Sequence, residues 1–275
     1  MSIDETLIGD TISVERKDHV LQIGLNRPDK KNAFNLDMLG DLSLAYALLE
    51  EDPDLRVGLL FAHGETFTSG LDLMDVAPAI FEGRSFLKEG GVDPLRLEGS
   101  WTKPVVAVAQ GWVMTVGIEL LLAADIRICS NDVRFAQIEV NRGIYPFGGA
   151  TFRFPELSGW GNAMRWMLTG DEFGADEAHR IGLVQEVESD ADAARAKGFE
   201  IASRIASDAA PLGVRKLLAS AHLARNEGPR AAVTGQMEDI KELFQTKDAA
   251  EGLQSFIERR KANFTGEAPN AIRPQ

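Results

Sequence analysis

Residues 113–124 have the sequence Val-Met-Thr-Val-Gly-Ile-Glu-Leu-Leu-Leu-Ala-Ala. From Val116 to Ala124 the segment predicts a short helix with no polar face, so we expect that helix to be buried. Glu119 is its one charged residue. A buried carboxyl group has a raised pKa and can exchange protons near neutral pH. The residues alone leave open a second interpretation, in which Glu119 forms a buried ion pair, for instance with an arginine.

Another carboxylate, Glu139, follows the predicted strand Val133–Ala136 and precedes a loop at 143–150 that contains three glycines. A glutamate at the end of a strand is usually solvated. From the residues alone we therefore expect Glu139 to be exposed.

Two glycine-containing loops, residues 64–73 and 111–117, each follow a predicted strand. Gly70 predicts a turn with positive φ that presents backbone N–H groups. The second loop opens the helix of Glu119, so its N–H groups lie at the positive end of a helix dipole. If the loops face each other they form an oxyanion hole, and otherwise they are two ordinary loops.

The remaining pattern predicts a mixed α/β core followed by helices. Apolar runs between turn residues predict strands at Thr11–Arg16, Val20–Leu25, Leu55–Ala62, Val105–Ala109 and Ile126–Cys129. Asn35 can cap a helix, and the following apolar residues share one of its faces: Leu36, Leu39, Leu42, Tyr46 and Leu49.

From about Asp190 onward the pattern is mostly helical, with breaks near Pro211 and at Gly228-Pro229. A chain of 275 residues suits one large domain with an appendage. We therefore predict a core in residues 1–200 and a helical region in residues 201–275.

Composition limits the expected binding partners and the expected cellular location of the protein. There are 29 Lys and Arg residues against 42 Asp and Glu, a formal charge of −13, and such a surface repels nucleic acid. The one cysteine, Cys129, lies in an apolar strand and predicts a buried thiol. The acidic N-terminus does not resemble a secretory signal, and residues 113–124 are too short to span a bilayer. We expect a soluble, cytoplasmic protein without a membrane segment.

Motifs for several common chemistries are missing from the sequence. It has no dinucleotide-binding glycine fingerprint after a strand, no phosphate-binding Gly-Lys-Ser/Thr loop and no Gly-x-Ser-x-Gly elbow. No cysteine or histidine pair has the spacing of metal ligands, so we expect no metal site. Carboxylates and backbone N–H groups remain as the candidate catalytic groups.

Six motifs in order between residues 12 and 264 resemble those of the crotonase, or enoyl-CoA hydratase/isomerase, family. They are the CoA-contacting loop Leu25–Ala33, the oxyanion loop Phe67–Leu73, the strand Lys103–Gly111, the glutamate segment Phe135–Glu139, the run Leu168–Val184 and the ending Phe256–Phe264. The resemblance implies an α/β fold: a crotonase-like spiral of ββα units with a C-terminal helical region used in trimerisation. It also implies a homotrimer or dimer of trimers.

The resemblance further implies a substrate and residue roles. The substrate is an acyl-CoA or enoyl-CoA thioester, and no separate cofactor is needed because coenzyme A is part of it. The N–H groups of Leu71 and Val116 would hold the thioester oxygen, Glu119 would deprotonate a water, and Glu139 would move the proton at the α-carbon. Contacts with CoA or substrate are implied at Lys30, Ala33, Ser69, Leu71, Asp72, Leu73, Val116 and Lys261, with Lys30, Lys31 and Lys261 as candidates for the phosphates, Lys261 from a neighbouring subunit.

The activity implied is that of an enoyl-CoA hydratase, which adds water across the 2,3 double bond. An isomerase, another acyl-CoA reaction of the family and a non-catalytic CoA-thioester-binding paralogue are the alternatives. Thr115 and Val116 stand where most hydratases have glycines, Leu71 where alanine is usual, and Phe147 where glycine is frequent. Backbone donors survive these changes, since only proline removes one. The side chains predict a reshaped acyl pocket.

Overall fold

The computed structural model describes residues 4–97 and 101–267 and contains two β-sheets. The strands in chain order are β1 (Ile12–Lys17), β2 (Val20–Leu25), β3 (Val57–Ala62), β4 (Val105–Ala109), β5 (Trp112–Met114), β6 (Ile126–Ser130), β7 (Arg134–Ala136), β8 (Phe173–Gly174) and β9 (Glu186–Glu188). The larger sheet has the order β1-β2-β3-β4-β6-β9 and is parallel except for the β1–β2 hairpin, while β5, β7 and β8 form the smaller sheet.

Helices surround these sheets and make up most of the C-terminal part. They are α1 (Leu36–Glu51), α2 (Leu73–Phe81), α3 (Val116–Ala123), α4 (Ala150–Ser158), α5 (Trp160–Thr169), α6 (Ala175–Arg180), α7 (Ala191–Asp208), α8 (Pro211–Glu227), α9 (Pro229–Phe244) and α10 (Lys247–Glu258). Short 3₁₀ helices lie at Glu5–Leu7, Pro28–Lys30 and Glu139–Arg142.

A sharp turn after β4 moves the chain from the larger sheet into the smaller one. Gly111 occupies this turn with φ of 54°, and a Cβ atom there would lie 2.0 Å from the Glu65 carbonyl oxygen. Only glycine therefore fits this turn. The strand pair β4–β5 leads directly into α3, and β6–β7 repeats the crossing between sheets. This repeated crossing is the predicted spiral arrangement.

The central strands of the larger sheet, β2, β3 and β4, are buried on both faces. In β4, Val106 and Val108 face α7, whereas Val105, Ala107 and Ala109 belong to the main core with α1 and α3. Helix α7 meets the sheet through small residues, and a Cβ atom on Gly198 would lie 2.3 Å from a Val108 methyl carbon. The alternation of strand residues between two apolar layers holds the end of β4, and hence α3, in a fixed place.

Most local predictions of secondary structure are confirmed, with strand ends shifted by one or two residues, but Trp112–Met114, within the predicted loop 111–117, forms strand β5. Asn35 caps α1 by accepting a hydrogen bond from the Met38 N–H at 3.1 Å, and α8 and α9 begin at the predicted breaks, Pro211 and Pro229. The apolar face of α1 packs into the core as expected, through Leu39, Leu42, Tyr46 and Leu49. The other side of the helix is buried as well, at Asp41 and Ser43. Residues 88–92 cover that side: Lys88 pairs with Asp41, and the Val92 N–H donates to the Ser43 carbonyl.

The C-terminal helices differ from the core in burial. Helices α8 and α9 pack on each other but contain no buried residue. Val233, Met237, Phe244 and Phe256 are all at least 65% exposed. The predicted division at residue 200 falls within α7, which is packed on the sheet as far as Ala206. None of the helices within the described ranges is long and apolar enough to cross a membrane.

Candidate active site

A cavity of about 430 Å³ lies where α3, the loop before α2 and the 3₁₀ helix Glu139–Arg142 meet. Both glutamates singled out from the sequence line it, together with Ser69, Leu71 and Val116. The structure thus brings together two carboxyl groups and two loops that are far apart in the chain. No cluster of three or more acidic, histidine or cysteine residues suited to a metal ion occurs in the described part of the chain.

Glu119 lies in the first turn of α3 and is 4% exposed. Its Oε1 accepts hydrogen bonds from the N–H groups of Gly148 (2.7 Å) and Ala150 (3.2 Å) at the start of α4. Burial raises the pKa of the Glu119 carboxyl, while the two backbone donors act in the opposite direction. Both donors orient the carboxylate and leave its Oε2 available to a ligand.

The alternative of a buried ion pair at Glu119 is wrong. No lysine or arginine in the described ranges pairs with it, and Arg153, the basic residue whose charge it feels, donates instead to the carbonyls of Leu95 and Arg96. Backbone N–H groups replace the arginine because the chain folds the start of α4 over α3. Close approach is essential, since a Cβ atom on Gly148 would lie 2.4 Å from the Glu119 Oε2.

Glu139 begins the 3₁₀ helix and is 6% exposed, so the expectation of a solvated side chain is wrong. Its Oε1 accepts a hydrogen bond from the Gln137 side chain at 2.9 Å, whereas its buried Oε2 has no hydrogen-bond partner among the described residues. Burial, reinforced by the charge of Glu119, raises the pKa of Glu139 to about 7. A carboxyl group of this kind carries a proton for much of the time at neutral pH.

The two glycine loops run side by side. Thr68 pairs with Val113 as a parallel β-bridge, with the Thr68 N–H donating to the Trp112 carbonyl at 3.0 Å. Three residues further along each segment are Leu71 and Val116. In the described structure neither of their N–H groups donates a hydrogen bond to another protein group. Two unpaired N–H groups at the cavity, one of them at the start of α3, are suited to a developing negative charge.

A model of the family described as enoyl-CoA hydratase/isomerase matches residues 15–267. The chain belongs to this family. It is therefore an enzyme of the crotonase superfamily whose substrates are acyl-CoA thioesters, and the predicted family and fold are confirmed.

Solved structures and curated proteins agree with the family assignment. A probable enoyl-CoA hydratase/isomerase from Mycobacterium abscessus has 49% identity and a TM-score of 0.90, covering 94% of this chain and 99% of that one. Enoyl-CoA hydratase from Mycobacterium tuberculosis H37Rv has 32% identity and a TM-score of 0.84, covering 94% and 100%. Crotonyl-CoA hydratase of Syntrophomonas wolfei is 33% identical over 93% of this chain and 98% of its own length.

Half of the CoA-contacting residues implied by the crotonase resemblance line the cavity: Ser69, Leu71, Leu73 and Val116. The others lie outside it. Lys30 is exposed at the end of the 3₁₀ helix Pro28–Lys30, and Lys261 pairs with Asp208 at 2.7 Å.

Asp72 and Ala33, also outside the cavity wall, are joined through one arginine. Arg27 donates to an oxygen of Asp72 at 3.1 Å and to the Ala33 carbonyl at 2.8 Å. These contacts hold the loop of Ala33 beside the predicted oxyanion loop. Their relation to CoA stays a prediction.

Sequence reasoning missed much of the crotonase cavity wall. Residues 84–97 contribute Phe86, Leu87 and Leu95, and this segment has no regular secondary structure and no periodic pattern. Arg142 also lines the cavity, three residues after Glu139, and its side chain has no partner within the described ranges. Phe147 lines the cavity and is 42% exposed, so it borders the opening rather than filling the interior.

Proposed function

We propose that the protein is an enoyl-CoA hydratase that adds water across the 2,3 double bond of a 2-enoyl-CoA. The observation that carries this proposal is the presence of two buried carboxyl groups with different surroundings in one cavity. Hydration needs a base at one carbon and an acid at its neighbour, so it needs two such groups.

Glu119 is the proposed base. Its Oε1 is occupied by two backbone donors, which favour the ionised form, and its Oε2 accepts a hydrogen bond from the attacking water. As the water oxygen bonds to C3, a proton passes from the water to Glu119. The electron pair of the double bond moves onto the thioester carbonyl and forms an enolate.

The N–H groups of Leu71 and Val116 are the proposed donors to the enolate oxygen. Removing one donor from such a hole typically costs ~2.7–4 kcal/mol of transition-state stabilisation. Neither N–H donates to another described group, so no protein hydrogen bond has to break before the oxygen binds.

Glu139 is the proposed acid. With a pKa raised to about 7 and an unpartnered Oε2, it can hold a proton at neutral pH and transfer it to C2. The product is a 3-hydroxyacyl-CoA, in which one water has been added. Release of the proton from Glu119 and uptake of one by Glu139 restore the starting state.

The names of the relatives support this reaction class. Curated relatives at 31–33% identity include a short-chain-enoyl-CoA hydratase from Clostridium acetobutylicum, an (E)-benzylidenesuccinyl-CoA hydratase from Thauera aromatica and carnitinyl-CoA dehydratases from Salmonella. Their acyl groups differ, whereas addition or removal of water on a CoA thioester is common to their names. The reaction, rather than a particular acyl group, is therefore proposed for this chain.

Binding of CoA is proposed at the loops of Lys30, Ala33, Ser69, Asp72 and Leu73, with no separate cofactor. Lys30, Lys31 and Lys261 would meet the phosphates and offset the acidic surface. The exposed apolar side chains of α9 and α10 support assembly as a trimer or dimer of trimers. A cytoplasmic location is part of the same proposal.

Purified protein mixed with crotonyl-CoA tests the function. We expect the absorbance of the conjugated thioester to fall as 3-hydroxybutyryl-CoA forms, with no reaction of free crotonate. A 3-enoyl-CoA serves as the parallel substrate. Conversion of the 3-enoyl thioester to a conjugated product, without hydration of crotonyl-CoA, would show an isomerase instead.

A further inference from the structure

Thr115, the residue before α3, has a backbone conformation that is unusual for its side chain. Its φ is 48° and its ψ is −111°. Among the non-glycine residues with positive φ in the described chain it alone is β-branched. Lys31 and Arg259 have ψ values of 37° and 42°, within the left-handed helical region, whereas Thr115 lies outside it in a region that favours glycine.

The neighbouring structure holds Thr115 in this conformation. Its N–H donates to the Ala136 carbonyl at 3.0 Å, which ties it to the end of β7. Its own carbonyl accepts from the N–H groups of Ile118 at 2.9 Å and Glu119 at 3.3 Å. The turn is therefore required to begin α3, and a glycine would meet the same requirement without strain.

The side chain of Thr115 packs against the opposite loop at Gly70. A Cβ atom built on Gly70 would lie 2.5 Å from the Thr115 Oγ1 and 3.7 Å from its Cβ. Thr115 thus occupies the space where residue 70 would otherwise carry a side chain. The Oγ1 forms no hydrogen bond with other described residues, so packing is its observed interaction.

This contact lies directly beside the candidate oxyanion donors. Leu71 follows Gly70 and Val116 follows Thr115, and the two segments run parallel from the Thr68–Val113 bridge. Any change in the separation of Gly70 and Thr115 changes the separation of the two N–H groups. Thr115 is strained, lines the cavity and separates the two loops. From this position its side chain can set the geometry of the candidate oxyanion hole.

We propose that Thr115 is a positioning residue: the bulk of its side chain, packed on Gly70, sets the separation of the Leu71 and Val116 N–H groups and thereby the polarisation of the thioester carbonyl. This inference rests on the proposed function, because it requires that these two groups bind the thioester oxygen. In this proposal the backbone strain at Thr115 persists because its side chain sets the separation of the two N–H groups.

Binding of a conjugated aryl-enoyl thioester, 3-phenylprop-2-enoyl-CoA, tests the proposal spectroscopically. Polarisation of its carbonyl moves the absorption band to longer wavelength, and the size of this red shift reports the oxyanion hole independently of turnover. Thr115→Val, Thr115→Ser, Thr115→Ala and Thr115→Gly form the series. We expect the red shift to become smaller as the side chain at position 115 becomes smaller. Thr115→Val should retain the largest shift and Thr115→Gly the smallest.

Turnover of crotonyl-CoA should follow the same order. In Thr115→Gly we expect kcat to fall roughly 10- to 100-fold, the usual effect of misplacing a reacting group. Its KM should change little, because CoA is bound elsewhere. The Tm of Thr115→Gly should rise by about 2–4 °C as strain is relieved. Asp18→Gly is the matched control: it replaces a residue with φ of 53° in the β1–β2 turn and should leave the red shift unchanged.

Three outcomes distinguish the possibilities. Full retention of red shift and kcat by Thr115→Gly overturns the positioning role. A large loss in Thr115→Val with retention in Thr115→Ser also overturns it, since the hydroxyl and not the bulk would then act. If the wild-type protein neither shifts the spectrum nor hydrates crotonyl-CoA, the proposed function itself fails, and the positioning role fails with it.

Discussion

Glu119 and Glu139 are both buried and line the same cavity, yet they have different surroundings. The start of α4 provides two N–H donors to Glu119, whereas Glu139 has one side-chain donor and one buried oxygen without a partner. Backbone donors favour the charged form of a carboxyl group, and an unpaired buried oxygen favours the protonated form. In the proposed mechanism this difference in surroundings makes Glu119 the base and Glu139 the acid, although burial raises the pKa of both carboxyl groups.

Replacing either carboxyl group should cause the largest loss of activity. Glu119→Gln and Glu139→Gln keep the side-chain size and should each lower kcat for crotonyl-CoA hydration by roughly 10²–10⁴. The double variant should lose less than the product of the two effects, because the groups act in one reaction. Exposed Glu172→Gln is the control. Near-normal turnover by both folded single variants would exclude the two-carboxylate mechanism.

Disturbing only the donors of Glu119 should have a smaller effect. In Gly148→Ala the added methyl group would meet the Glu119 Oε2 and displace the carboxylate from its backbone donors. We expect kcat to fall by roughly 10- to 100-fold with Glu139 untouched. Gly161→Ala, in α5, is the control because nothing lies within 4 Å of its added Cβ atom. Equal activity of the two variants would show that the donors do not position Glu119.

The pH dependence of the reaction rates should report the protonation state of Glu139. The proposed mechanism requires protonated Glu139 for hydration, so kcat/KM should decrease as pH rises through about 7. It requires ionised Glu139 for dehydration, so the rate of that reaction should increase over the same range. Initial rates in both directions between pH 5 and 9 measure this. A hydration rate that keeps rising above pH 8 contradicts the acid role.

Folding stability should respond to the same carboxyl group, as a change in Tm. The pKa of Glu139 is raised from 4.5 to about 7 in the folded protein, so between these values the unfolded chain has released a proton that the folded protein keeps. The free energy of unfolding therefore decreases as pH rises through this range, by about 1.4 kcal/mol per pH unit. Glu139→Gln removes this penalty and should raise Tm more at pH 8 than at pH 5.

Exposed Glu15→Gln is the control for the stability measurement. It should change Tm equally at both pH values. A Glu139→Gln variant whose Tm difference from wild type is independent of pH would show that Glu139 is not held protonated by burial.

Features that depend on neighbouring residues could be predicted from the sequence. The cap at Asn35, the helix starts at Pro211 and Pro229 and the positive φ of Gly70 all follow from the chemistry of one residue and its immediate surroundings. The burial of Glu119 also followed, because an apolar helix has no face that it can expose.

Features of the cavity that join distant segments could not be predicted in this way. Glu139 has the local pattern of a solvated strand end, and its burial depends on the cavity walls packed around it. The donors to Glu119 come from residues 29 and 31 positions later, and nothing near Glu119 in sequence indicates them. Residues 84–97 lack any periodicity that would indicate a cavity wall.

The sequence by itself determined the first strands, the starts of α1, α8 and α9, the family and the two candidate carboxylates, because these depend on local propensity and on motifs in order. Tertiary structure alone decided that the loops at Gly70 and Thr115 meet and that Glu119 is bound by backbone instead of arginine. It also decided that Glu139 retains an unpartnered oxygen. The physical reason is that a pKa and a hydrogen bond depend on what lies within a few ångströms, and in this cavity those neighbours come from distant parts of the chain.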